Sequence, residues 1–263
     1  MNFLPIFFFL FTVQLTDQPY NYTHRISILR NDTLNTNVIE KYAPYKFNNI
    51  WLETPNSAVY GIIGDSFKRI RIKFINIIRD TSDQRIYNVY GKSKVDNTIC
   101  EFQGTISLTE IIEYEYNPKI DSTRFQYDEF YNSDILSRGH LEADYEFFEN
   151  KDQRNSGVFK GKLYSFWYLS RENDRIYYGP TEPSDGYTNN NFIGTWQSYK
   201  SGVKKICNWG DFRVPMTTME FDSGAGEFHP VEKYHELGWK TVIQAHHEEN
   251  KTAIEIENAK WWE

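Results

Sequence analysis

Chemistry needs side chains of the right type at a workable spacing, and the chain offers three such groups. His140, Glu142 and Asp144 alternate along one stretch, so on a strand all three project to one face, with Leu141, Ala143 and Tyr145 on the other. Such a face supplies metal ligands or an acid–base pair, although an exposed strand face is written in the same letters. Asp222, Glu227 and His229 sit in a glycine-containing loop whose carboxylates and carbonyls suit a hard cation, but their spacing is not that of the helical calcium loop. His246-His247-Glu248-Glu249 reads more simply as a hairpin tip, because adjacent residues point apart. There is no Gly-x-Ser-x-Gly and no phosphate-cradling glycine loop. No catalytic residue is singled out, and nothing selects a glycosidase pair from the 36 acidic residues.

Aromatic residues are the more suggestive group: the chain holds 19 Tyr, 19 Phe and 7 Trp. Aromatic faces beside Asn and Asp are how sites for sugars and small amphiphiles are built. Trp167, Tyr187, Trp209 and Trp239 are the ligand-binding candidates on this reasoning. The competing reading is that Trp and Tyr fill half-buried positions of β structure. Trp196 is expected in the core, with Gly194 letting a neighbouring strand or ring lie against the backbone.

The elements that must position these residues are mostly strands. Phe67 to Ile78 alternates Ile70, Ile72 and Phe74 with Arg69, Arg71 and Lys73, the period of two of a strand with one wet face. Tyr87 to Val95 and Thr98 to Leu108 flank Asp96-Asn97, a hairpin turn. Thr109 to Glu115 fits either a strand end or a short helix. An acidic, Tyr-rich loop is expected from Pro118 to Arg138, followed by strands at His140 to Phe148, Val158 to Leu169, Arg175 to Tyr178 and Gly202 to Asn208. Met219 to Phe221 adds a possible further one. Val231 to Gly238 reads as helical turns capped by Gly238, and Trp239 to Ala245 with Thr252 to Ile256 as two closing strands. Many short strands with little helix predict an all-β fold, an antiparallel barrel or sandwich. It would form a single β-rich domain over residues 17–263, whose polar N-terminal lead-in, Gln18 to Pro55, contains one short strand at His24 to Leu29.

Gly194-Thr195-Trp196 resembles the Gly-x-Trp signature of lipocalin-like barrels, which implies a Trp packed across a barrel's closed end. The motif lies in the last third of this chain, whereas in lipocalins it is near the first strand. Asn208 to Asp211 and Gly224 to Phe228 are similar to segments of uncharacterised secreted bacterial β-rich proteins, a likeness that implies no activity.

Composition bounds the partners. A formal net charge of -7 supplies no basic field for a phosphate backbone, so nucleic acid is an unfavoured partner. No cofactor motif is present. The apolar run Phe3 to Phe11 is too short to span a bilayer, which takes about 20 residues, and reads as the core of a secretory signal over residues 1–16. No transmembrane segment would remain after its removal, and the location would be secreted or periplasmic. In an exported chain Cys100 and Cys207 are candidates for one long-range disulfide, two separate buried thiols being the alternative. The leading functional expectation is a non-enzymatic protein binding a small apolar or carbohydrate-like ligand or an envelope component. The alternatives are a carboxylate-dependent hydrolase and a structural module without a pocket.

Overall fold

A computed structural model describes residues 36–114, 135–171, 175–178, 188–223 and 226–263. The apolar run at Phe3 to Phe11, the strand expected at His24 to Leu29, the core of the Tyr-rich loop and Tyr187 lie outside these residues.

The strands are β1 (Val59–Ile63), β2 (Lys68–Arg79), β3 (Ile86–Val95), β4 (Thr98–Glu113), β5 (Ile135–Glu149), β6 (Gly157–Ser170), β7 (Ile176–Tyr178), β8 (Asn189–Ser198) and β9 (Lys204–Asp211). Every pairing is antiparallel. β1 to β6, β8 and β9 follow one another around a ring, closed where β9 pairs with β1 and β5 with β6. The fold is therefore an eight-stranded up-and-down barrel, with β7 an extra strand on the far end of β6. Closure removes the exposed edges that an open sheet leaves for aggregation. Among the described residues no helix is long and apolar enough to cross a membrane.

The inner face follows from the alternation. Ile70, Ile72 and Phe74 of β2, Phe102 and Ile106 of β4, Tyr145 and Phe147 of β5, and Phe192 and Trp209 of β8 and β9 are all buried. They fill the middle of the barrel, with the Phe192 and Trp209 rings stacked at 4.7 Å. Two glycines make room for this packing. Gly161 and Gly194 are cross-strand partners, and a Cβ on either would meet backbone of the neighbouring strand at 2.1–2.2 Å and the Tyr145 hydroxyl at 2.8 or 2.6 Å. The Tyr145 ring thus lies over bare backbone.

One end of the barrel is plugged from outside the sheet. Residues 37–52, including the short helix α1 (Ile39–Tyr42), place Tyr42, Phe47 and Trp51 across it. The Trp51 indole donates to Ser165 Oγ at 3.1 Å, and Tyr42 packs on Trp167 at 4.5 Å.

Several expectations need correction. The two closing strands are helices, α2 (Lys240–His246) and α3 (Lys251–Asn258). The Asn250 side chain caps α3 by accepting from the Ala253 N–H at 3.1 Å, and Ala253 and Glu257, four apart, form its buried stripe. Residues 219–221 form a turn, not a strand, whereas 109–113 continue β4. The basic face of β2 is not wet. Arg69 and Arg71 are roofed by α3, and both donate to Glu257, Arg69 at 2.6 and 2.8 Å and Arg71 at 2.8 Å.

Nor is there a disulfide: Cys100 and Cys207 are free buried thiols. Cys100 is on β4 and Cys207 on β9, and three strands separate these two in either direction around the ring. They stand on opposite walls of a filled barrel, beyond the reach of an S–S bond.

Candidate functional site

The end opposite the plug opens into a cup of about 710 Å³. Its buried carboxylate is Glu149, the last residue of β5. Counting inward positions, Tyr145, Phe147 and Glu149 share a face, so the alternation that fills the core delivers a carboxylate to the mouth, where it is only 4% exposed. Three donors from three strands hold it. Ser93 Oγ of β3 donates to Oε1; the Gly157 backbone N–H of β6 and the Trp196 indole N–H of β8 donate to Oε2 at 2.8 and 2.9 Å.

Gly157 is needed for this arrangement. A Cβ there would stand 2.3 Å from Gln197 O and 2.6 Å from Trp196 Cε2, so only glycine lets the indole lie against β6 and reach Glu149. Trp196 is buried as expected, but it lines the open mouth and not the closed end that the lipocalin likeness implied. Its glycine neighbour is Gly157; Gly194 serves Tyr145.

Electrostatics sharpen the picture. Burial pushes the Glu149 carboxyl above its ordinary value, and the three donors oppose that shift without cancelling it. The Cys100 thiol, which also lines the cup, is pushed up to about 11 by burial and then by Glu149. A thiol so raised is a poor nucleophile. The upper wall carries Ser198 and Ser201, while Ile70, Phe159 and Trp196 supply apolar and aromatic surface. At the rim Lys68 pairs with Asp96 at 2.5 Å. Such a set can hydrogen-bond and stack a small molecule.

The residues singled out from sequence fall elsewhere. Trp167 packs against the plug, Trp209 sits in the filled middle, and Trp239 lies outside the barrel in a second cluster with Tyr60, Phe67, Phe221 and Phe228. The Trp239 indole donates to Phe67 O at 2.8 Å. These three tryptophans occupy different layers and do not converge on one cleft. His140, Glu142 and Asp144 do share the outer face, but His140 is buried, with Nδ1 2.8 Å from the Tyr114 hydroxyl, and Asp144 pairs with Lys162 at 2.7 Å. Both Asp222 carboxylate oxygens accept from Arg213 Nη1, at 2.7 and 2.6 Å. His229 stacks edgewise on His247, ring centroids 4.4 Å apart, and Glu227 is 3.9 Å from that ring. Among the described residues no group of three or more His, Cys, Asp or Glu is placed to hold a metal ion.

Sequence reasoning passed over Glu149, Ser93 and Gly157. The available signal was the inward parity of Glu149 after Tyr145 and Phe147. In comparisons with protein-family models, curated proteins and solved structures, none matches this chain.

Proposed function

We propose that the barrel is a binding protein that takes a small, carbohydrate-like molecule into the mouth cup. The observation that carries this reading is the Glu149 cluster: a buried carboxyl oriented by Ser93, Gly157 and Trp196 at the floor of a cup whose volume suits a small ligand. An aromatic ring beside a fixed carboxyl and wall hydroxyls is the combination that recognises a polar ring with an apolar face. Binding is favoured over a two-carboxylate hydrolase because the one buried carboxylate of the cup, Glu149, has both oxygens engaged by the protein, while Asp65 and Asp96 are exposed at the rim, Asp96 paired with Lys68. Two-carboxylate hydrolysis needs a pair free to act across a cleft. Export to a secreted or periplasmic location belongs to the same reading and rests on the Phe3 to Phe11 run.

The test is isothermal titration against a panel of neutral monosaccharides, with an anilinonaphthalene dye as an apolar comparison. Saturable binding of at least one sugar is expected, abolished by Thr98→Trp, which fills the mouth from the β3–β4 turn. If the dye binds in the cup and no sugar does, the ligand is apolar and the carbohydrate reading falls. If neither binds, the cup is not a site.

A further inference from the structure

On the outside of the barrel the β2–β3 ladder sets cation against cation. Its register puts Arg71 directly opposite Lys94 and Lys73 directly opposite Lys92, and like charges so placed destabilise a ladder. This happens in a chain of formal net charge -7, so excess positive charge is not its cause. Lys92 is offset by Glu101 at 3.5 Å, and the Lys73 ammonium lies 5.0 Å over the Trp262 ring. Arg69 and Arg71 share one carboxylate, Glu257. Among the described residues no carboxylate is within ion-pair distance of Lys94.

Between this ladder and the C-terminal helices runs a groove of about 290 Å³, lined by Arg69, Arg71, Lys94, Thr241, Ile256 and Trp261. Burial, with Arg69 adding to it, brings the Arg71 guanidinium down to about 10. Burial followed by Arg71 and Arg69 lowers Lys94 as well. The groove is thus short of negative charge. Asp96 at its edge is occupied by Lys68.

We propose that this groove is a second binding site, taking a small oxyanion, inorganic phosphate or the phosphate of a phosphomonoester, between Arg71 and Lys94 with Trp261 as one wall. Arg71 has five N–H donors, of which Glu257 and the Ile256 carbonyl use part, and the remainder suit a phosphate oxygen. The groove exceeds a bare phosphate in volume, leaving space for a small organic body against Ile256. It does not depend on the mouth cup, with which it shares Asp96 alone.

The experiment is calorimetric titration of the whole protein with inorganic phosphate and, separately, glycerol 3-phosphate, each against chloride at matched ionic strength. Binding of either above the chloride control is expected, and the tighter of the two identifies the source. Lys94→Gln removes one charge-assisted contact and should weaken binding about tenfold or more; because Lys94 lies outside the Glu257 cluster, its circular dichroism should match wild type. Lys94→Glu gives Arg71 an opposing carboxylate, so it should raise the melting temperature without phosphate and abolish phosphate binding. Failure of both ligands to bind above chloride, or binding by Lys94→Glu at wild-type affinity, would overturn the proposal.

Discussion

Replacing Glu149 by glutamine and by alanine separates the two things this residue does at the barrel mouth. Its oxygens accept from the Gly157 N–H, the Trp196 indole and the Ser93 hydroxyl, and its charge is buried. Glutamine keeps the acceptor: its amide oxygen can take Gly157 and Trp196, its NH2 can donate to a Ser93 hydroxyl turned to accept, and no charge is buried. Alanine leaves two buried N–H donors without acceptors, at about 1–3 kcal/mol each, so Glu149→Ala should destabilise by about 2–6 kcal/mol. Glu149→Gln should be at least as stable as wild type at pH 7. The sign follows from the raised carboxyl. A folded-state value above the unfolded one means wild type holds its full stability below the unfolded value and loses some as pH rises through the folded one, a loss glutamine cannot suffer. Urea denaturation followed by circular dichroism at pH 4 and pH 7 measures both effects, the wild-type minus Gln difference isolating residue 149 from other titrating groups. If Glu149→Gln were as damaging as Glu149→Ala at pH 7, the charge itself would be stabilising, and the reasoning from burial and donor count would be refuted.

Three further outcomes are expected. Glu257, lowered to about 2 from 4.5 by Arg69 and Arg71 against the opposing effect of burial, should contribute about 3 kcal/mol above pH 4.5, lost as pH falls toward 2; a Glu257→Gln protein should lack this acid limb in denaturation. Trp196→Ala should cost about 3–5 kcal/mol as a large buried aromatic, a loss within 0.5 kcal/mol marking it instead as surface. Cys207, in the filled middle, should react with a thiol reagent only on unfolding, and Cys100, which lines the cup, more slowly than a free thiol, since burial raises each thiol; a count of zero after denaturation without reductant would mean a disulfide exists.

Where one physical pattern dominated, the sequence was readable. The β2 alternation and the Asp96-Asn97 turn predicted the β2–β3–β4 meander, because side-chain parity and turn chemistry are local. The C-terminal error arose where two patterns overlapped. Trp239 to Ala245 and Thr252 to Ile256 are short enough to fit either period, and the deciding features, the Asn250 cap and the Ala253–Glu257 stripe facing Arg69, act partly through a strand nearly two hundred residues away. The mouth cluster was hidden for a similar reason. Glu149 adjoins a polar turn and reads as its exposed flank; only ring closure brings Ser93, Gly157 and Trp196 around it. Conversely, the tryptophans singled out for a ligand were conspicuous by type, which does not distinguish a filled interior from a lined cup. Nor could spacing reveal that Cys100 and Cys207 stand on opposite walls, since that depends on how many strands the ring contains.

The most direct measurement is a nitrogen–proton correlation spectrum of the protein titrated with the sugar selected by calorimetry. The Trp196 indole N–H donates to Glu149 at 2.9 Å inside the cup, and its resonance is identified by its disappearance in Trp196→Phe. Binding at the mouth predicts that this resonance shifts saturably, with the calorimetric Kd, while the Trp167 indole at the plugged end stays in place. A sugar that binds with the Trp196 resonance unmoved, or no sugar that binds at all, would contradict the assignment of the cup as the ligand site.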